Sequence, residues 1–142
     1  MLQGFSSRSG RLPARSLAGL PVTTVSFDSG AKVQVEVAIT RSAHMKGLSG
    51  RAILSQGEGM LFEMPTVGGH GLWMKDTYVP LDAIFLDAEK KVLGVIALNP
   101  LDLTPKGMNF LSKWMLEVPQ GWAARSGVKR GSVGAWASVF DA

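Results

Sequence analysis

The 142-residue sequence contains no cysteine, which excludes disulfides, thiolate metal sites and cysteine nucleophiles. Charged residues are few, at 18% against 46% hydrophobic residues, so intrinsic disorder is excluded for most of the chain. No apolar run approaches the ~20 residues of a bilayer span, so no transmembrane segment is expected. His44 and His70, the only histidines, lie in separate segments without a second ligand at a metal-binding interval. We therefore expect no metal and no cofactor.

Acidic residues are missing from the start of the chain, because Asp28 is the first. Arg8, Arg11 and Arg15 precede it and carry most of the net charge of +4, so the remainder is close to neutral. No stripe of Lys and Arg interleaved with aromatic residues follows, and nucleic-acid binding is not expected. We expect residues 1–20 to form a flexible basic tail and residues 21–142 a single domain. The tail lacks the continuous apolar stretch of a secretory signal, which favours a cytoplasmic location.

The clearest structural signal is strict alternation over Ala31–Thr40. Together with the β-branched segment Val22–Phe27 and the turn residues 28–30, it predicts an antiparallel hairpin. One face of the second strand should be buried, with Val33, Val35, Val37 and Ile39 on it. The other face should be exposed, with Lys32, Gln34 and Glu36 on it.

Short apolar segments separated by turn residues fill the rest of the chain. Two short helices are predicted, over Arg41–Leu48 with Thr40 or Ser42 as N-cap and over Gln120–Ser126. The glycine and proline content of Pro65–Gly71 predicts a loop. Further strands are predicted over Gly59–Met64, Leu72–Lys75, Leu81–Asp87, Lys91–Asn99, Leu111–Val118 and Ser132–Phe140. This spacing predicts a mostly-β, single-domain antiparallel or mixed β-sandwich of about eight strands.

Three blocks of sequence resemble the domain of unknown function 192 family, a group of small prokaryotic proteins. They are Gly59–Phe62 with Leu72–Thr77 and Pro80–Asp87, then Leu116–Pro119 with Gly121–Ala123, and finally Gly127–Gly131. The tract Trp-Met-Lys-Asp-Thr followed by Pro-Leu-Asp is the most specific part. The resemblance implies a mostly-β sandwich, in agreement with the strand count, and it implies no activity.

An aromatic and polar patch in this tract is the candidate ligand site, with Trp73, Lys75, Asp76, Thr77, Tyr78 and Asp82 as its residues. Asp82 shares a strand face with Ile84 and Leu86, so its carboxylate should be buried and in need of a partner. Lys75 or the backbone N–H groups of the turn 76–79 are the expected partners. A structural role, in which Asp82 fixes this turn, is the preferred interpretation.

Three function hypotheses remain open. The leading one is a non-catalytic binding or interaction module for a small ligand, a glycan or a protein. The second is a hydrolase or carbohydrate-active enzyme that uses Asp76, Asp82 and Lys75. The third is an accessory protein whose uncharged edge strand pairs with a partner. A hard-cation site from Asp76, Asp82 and Glu117 has no supporting spacing, and no catalytic set is assigned.

Overall fold

The computed structural model describes residues 15–139, and within that range the chain is mostly β. Its elements are β1 (Val22–Phe27), β2 (Lys32–Ala38), α1 (Arg41–Lys46), β3 (Glu58–Gly69), β4 (Leu81–Leu86), β5 (Val92–Leu98), β6 (Leu111–Pro119), α2 (Trp122–Arg125) and β7 (Gly134–Ala135). The predicted mostly-β fold with two short helices is confirmed. None of the helices in the described range is long and apolar enough to cross a membrane.

The strands of the described range form one curled sheet, a half-barrel, in the order β5-β4-β6-β3-β2-β1-β7. All neighbours are antiparallel except β2 and β3, which are parallel and joined through α1. A bridge between Lys91 and Val133 brings the start of β5 to the segment that leads into β7. The Gly134 N–H also donates to the Lys90 carbonyl at 2.8 Å, so the curl brings the two ends of the sheet together at this corner.

Both faces of this sheet are covered, and β4 accordingly is buried at all six of its positions. The first, here called the α2 face, packs against Trp122 and Ala123 of α2 and includes Leu61, Ile84 and Leu116. The second, here called the loop face, lies under residues from the connections that follow α1 and β3. Its buried residues include Leu48, Met60, Phe62, Met74, Val79, Phe85 and Met115. Two cores on one sheet replace the two facing sheets of a sandwich.

The first hairpin has the predicted pairing, with Val25 opposite Val33 and Val22 opposite Glu36. The valines at 33, 35 and 37 are buried, Ile39 is half-buried, and Lys32 and Gln34 are exposed. The prediction for Glu36 is wrong, because this residue is only 1% exposed. It lies on the loop face, which residues distant in sequence cover at this point.

Three predicted boundaries differ from the structure. Most of the predicted loop over residues 65–71 is strand, because β3 continues to Gly69 and pairs with β6 beyond an irregularity after Glu63. A Cβ at Gly69 would lie 2.4 Å from the Met108 carbonyl oxygen, so the close approach of these two backbone segments requires glycine. The predicted strand over residues 72–75 is reduced to a bridge between Leu72 and Lys106. The last strand is limited to Gly134 and Ala135.

Most of the predicted tail, residues 1–14, lies outside the described residues. The last residues of the predicted tail, from Arg15 onwards, are described and contact the rest of the protein. Arg15 forms a bridge with Pro21, and the buried Ser16 hydroxyl donates to Glu36 Oε2 at 2.8 Å. Ser16 therefore contacts the sheet and Arg15 contacts the residue before β1, while the division into tail and domain stays a prediction.

Candidate functional site

Helix α1 forms one wall of a cavity on the loop face. It begins at Thr40, whose Oγ1 accepts a hydrogen bond from the Ala43 N–H at 3.1 Å, as the N-cap prediction requires. Its C-cap is Gly47, whose positive φ of 47° favours glycine and whose N–H donates to the Ala43 carbonyl. None of its six residues is buried. The helix therefore presents its basic side chains at the surface.

The opposite wall is the segment between β3 and β4. The Thr77 N–H donates to the Met74 carbonyl at 3.1 Å, which closes a tight turn with Asp76 in a left-handed conformation at φ 52°. The Asp76 carbonyl accepts from the Gly50 N–H at 2.8 Å and so ties the turn to the chain that follows α1. In this arrangement Met74 and Thr77 are buried, while Trp73 is 51% exposed at the surface.

Between the two walls is a cavity of about 260 Å³. Its floor includes Phe62 of β3 and Glu117 of β6. The other lining residues are Arg41, His44, Met45, Lys46, Gly47, Leu48, Gly71, Leu72, Trp73, Lys75 and Thr77. The two walls come from segments some thirty residues apart, and the sheet beneath them fixes their separation.

Glu117 is the residue that makes this cavity unusual. It lies in the middle of the sheet, opposite Met60 of β3 and Ala83 of β4, and is 4% exposed. Within residues 15–139 its carboxyl group has no hydrogen bond and no ion pair. Burial raises its pKa to about 8, because removal from water penalises the charged form. At neutral pH the cavity therefore contains a protonated, unpartnered carboxyl group.

Cationic groups surround the same cavity. Arg41, Lys46 and Lys75 are exposed, and none of them has an acidic partner in the described part of the chain. Lys75 Nζ lies 5.7 Å from the centroid of the Trp73 ring, within the range of a cation–π contact. The His44 ring is hydrogen-bonded through Nε2 to the Ala38 carbonyl at 2.9 Å. The charge of the site is thus positive at the rim and, at neutral pH, zero at the floor.

The structure brings together half of the residues that the sequence predicted for a ligand site. Trp73, Lys75 and Thr77 line the cavity. Asp76 and Tyr78 are exposed and lie outside its lining, and Asp82 lies on the α2 face of the sheet. The set proposed for the enzyme hypothesis, Asp76, Asp82 and Lys75, therefore does not converge on one point.

Sequence reasoning considered Glu117 only for a hard-cation site and left it out of the ligand patch, and it missed the α1 residues and Phe62. A signal for Glu117 was present, since an acidic residue between Leu116 and Val118 interrupts an apolar strand. The α1 residues carry no such signal, because only the packing of the loop face directs them towards the cavity.

Asp82 is buried, as its apolar strand neighbours predict. Its predicted partners are wrong. Asp82 Oδ2 accepts hydrogen bonds from the backbone N–H groups of Gly121 at 3.0 Å and Ala123 at 3.2 Å, at the start of α2. Side chains alternate along a strand, so Asp82 points away from Lys75 and towards the α2 face. It satisfies N–H groups that a helix N-terminus leaves without a partner.

We expect Asp82→Asn to lower the free energy of unfolding by about 1–3 kcal/mol, because a weaker amide acceptor replaces the carboxylate that binds two N–H groups, one buried and one partly buried. Urea unfolding measures the effect. Asp87→Asn is the matched control, since Asp87 Oδ1 also accepts from two N–H groups, those of Glu89 and Lys91, but in an exposed turn. An Asp82→Asn protein no less stable than the control variant contradicts this role.

The curled sheet and the cavity on its loop face define a class of small half-barrel domain with a polar pocket. The chain belongs to the DUF192 family, described as "Uncharacterized ACR", whose model matches residues 23–135. The resemblance inferred from the sequence blocks is therefore confirmed. Family membership gives the fold and no activity.

The solved structures similar to this chain include the following two. A protein of unknown function from Novosphingobium aromaticivorans DSM 12444 has 30% identity and a TM-score of 0.78, covering 94% of this chain and 100% of its own. A putative transcription regulator from Sinorhizobium meliloti 1021 has 24% identity and a TM-score of 0.79, covering 89% and 98%. At 24% identity, the similarity to this second structure supports the fold only. No curated protein matches the chain.

Proposed function

We propose that this protein is a non-catalytic ligand-binding domain whose site is the cavity between α1 and the segment 71–77. The observation that carries the proposal is the buried carboxyl of Glu117, which faces this cavity without a partner. The proposal keeps the leading sequence hypothesis of a binding module and moves its site from the patch Trp73–Asp82 to the cavity that contains Glu117.

The reason is energetic. A buried carboxyl with no hydrogen bond lowers stability, and an apolar residue at the same position avoids that cost. Elsewhere on the sheet this chain satisfies its buried acids, since Arg51 and Ser16 bind Glu36 and the start of α2 binds Asp82. Sequences break such local rules mainly at functional sites. A ligand that supplies the missing partner explains why an acid occupies position 117.

The size of the site indicates the size of the ligand. A cavity of about 260 Å³ lies just below the usual range for drug-sized ligands, roughly 300–1,000 Å³, so a small metabolite fits better than a glycan chain or a peptide. Trp73 offers such a ligand an apolar surface at the rim, where its ring is half exposed.

We expect Trp73→Ala to weaken ligand binding and Tyr78→Ala to leave it unchanged. Both side chains are exposed aromatics of the original patch, at 51% and 56%, but only Trp73 lines the cavity. The measurement is a thermal-shift screen with small amines, carboxylates, amino acids and monosaccharides at millimolar concentration. Saturation at 100 times the dissociation constant contributes about 2.7 kcal/mol, which shifts the midpoint by several degrees.

Two results contradict the proposal. In one, no probe class raises the midpoint of the parent protein. In the other, Tyr78→Ala abolishes a shift that Trp73→Ala retains, which places the ligand outside the cavity.

The hypothesis of an edge strand that pairs with a partner stays a prediction. β5 pairs with β4 alone along most of its length and has no charged residue, which is the feature this hypothesis requires. The segment 131–133 contacts its first residue, since the Val92 N–H donates to the Ser132 carbonyl.

A further inference from the structure

We infer that the ligand of this cavity is a small zwitterion, with its ammonium group against Glu117 and its carboxylate among Arg41, Lys46 and Lys75. The inference rests on the proposed function and gives that function a ligand class. It is drawn from the separation of charge between the floor and the rim of the cavity.

At the floor of the cavity, the Glu117 carboxyl favours a ligand group that donates hydrogen bonds. An ionised carboxylate accepts hydrogen bonds only, at about four lone-pair sites, and the Glu117 carboxyl has no protein donor in residues 15–139. An ammonium group provides three donors and a compensating charge, which together make the ionised form of a buried carboxylate favourable. Among residues 15–139, Glu117 is the only acid that lines the cavity, so a bound cation has one definite position.

The positive charges at the rim of the cavity favour an anionic ligand group. Arg41 and Lys46 lie on α1 and Lys75 on the facing segment, so three cations approach the opening from both walls. None of the three has a salt bridge in the described range, whereas Arg51 and Lys106 do. A ligand carboxylate at the opening therefore does not compete with an internal ion pair.

Neither charge alone fits this arrangement as well. A simple amine has to pass three cations, and at the rim it gains nothing. A simple carboxylate satisfies the rim, but it leaves Glu117 unpaired and adds repulsion whenever Glu117 ionises. A molecule that carries both charges satisfies floor and rim together.

Ligands with an ammonium group on Glu117 and ligands with a carboxylate alone predict opposite pH dependences of affinity. An ammonium on Glu117 requires the ionised carboxylate, so below pH 8 its binding releases a proton, and affinity rises as the pH approaches the pKa of about 8. A carboxylate ligand is favoured by protonated Glu117, so its affinity falls over the same range. The other titratable or charged groups that line the cavity are Arg41, His44, Lys46 and Lys75. Measurements between about pH 7.5 and pH 9 avoid most of the ordinary titration ranges of histidine and lysine.

The experiment is titration calorimetry of the full chain with three matched series of probes. The zwitterions are glycine, β-alanine and γ-aminobutyrate, which differ in the separation of their charges. The carboxylates are acetate, propionate and butyrate, and the amines are methylamine, ethylamine and propylamine. Each titration is repeated in buffers of different ionisation enthalpy, so that proton release is measured directly.

We expect at least one zwitterion to bind more than tenfold tighter than its matched carboxylate and amine, since each lacks one charge-assisted contact. About three-quarters of a proton should be released per ligand at pH 7.5 and about one-tenth at pH 9. Glu117→Gln should weaken zwitterion binding by about tenfold or more and abolish the proton release. Its control is Glu63→Gln, an acid on β3 that does not line this cavity. Lys75→Gln should also weaken binding, with the exposed Lys32→Gln as control.

Other outcomes overturn the inference in distinguishable ways. Carboxylates that bind as tightly as zwitterions, with affinity that falls as the pH rises, overturn the ligand class and leave the proposed function standing. Binding of a neutral monosaccharide alone has the same consequence. If no probe binds and no small molecule shifts the melting midpoint, both the ligand class and the proposed function are wrong.

Discussion

Glu117→Gln should stabilise this protein by about 3 kcal/mol at pH 7, a shift of roughly 10 °C in the melting midpoint. The reason is the difference between the folded and unfolded states. In the unfolded chain the carboxyl titrates near its model value of 4.5, whereas burial raises its pKa to about 8 in the folded protein. Glutamine has nearly the same shape and never ionises, so it removes this difference.

The sign follows from proton binding. Above pH 4.5 the unfolded chain loses a proton that the folded protein retains up to about pH 8, so rising pH favours unfolding over this window. Below the window both states are protonated, and the variant and parent should be equally stable. Above about pH 8 the difference in the free energy of unfolding between variant and parent reaches its full value, on the order of 5 kcal/mol.

Urea unfolding of the parent and Glu117→Gln at pH 4, 7 and 9 measures the effect. Glu89→Gln is the control, because Glu89 is exposed in a turn and its substitution should matter little at any pH. A stability difference between parent and Glu117→Gln that does not change with pH contradicts the prediction. Added ligand provides a further check, since it should stabilise the parent more than the variant.

Arg51→Met should destabilise the protein by about 3 kcal/mol at pH 7, because it leaves the buried charge of Glu36 without its main partner. Two guanidinium contacts, at 2.5 and 3.0 Å, hold the Glu36 carboxylate, and the Ser16 hydroxyl adds a third hydrogen bond. The side chains of Arg51 and Glu36 are 22% and 2% exposed, so solvent weakens this pair less than a surface pair.

The stability difference between Arg51→Met and the parent should depend on pH through a lowered pKa, that of Glu36, whereas the effect of Glu117→Gln depends on a raised pKa. Burial raises the pKa of Glu36, but the hydrogen bonds from Arg51 and Ser16 outweigh it and hold the pKa below 4.5. The stability that the pair contributes is therefore present above pH 4.5 and is lost as the pH falls through the folded-state value. The deficit of Arg51→Met should shrink on acidification, when Glu36 is protonated in both proteins.

A double-mutant cycle tests this pair. Glu36→Gln combined with Arg51→Met removes both charges and should recover much of the loss. Lys106→Met is the control, since it removes a solvent-screened ion pair with Asp102 at 3.5 Å and should lower the free energy of unfolding much less than Arg51→Met. A double variant less stable than Arg51→Met alone contradicts the prediction.

Local patterns in the sequence determined several elements of this fold. The alternation of valines fixed the first hairpin and its register, because a slip of one residue moves every side chain to the other face. Thr40 and Gly47 set the ends of α1 through hydrogen bonding and backbone conformation that depend on near neighbours only. The burial of Asp82 followed from its position between apolar strand residues.

Only the tertiary structure decided what covers each face of the sheet, and with it the candidate site. Alternation predicts one buried face, yet segments from elsewhere in the chain cover the second face and bury Glu36 and Glu117 there. Arg51 reaches the first of these acids, and no described residue reaches the second. The period of a strand determines which side chains share a face, but the partner of a buried charge depends on contacts between residues distant in sequence.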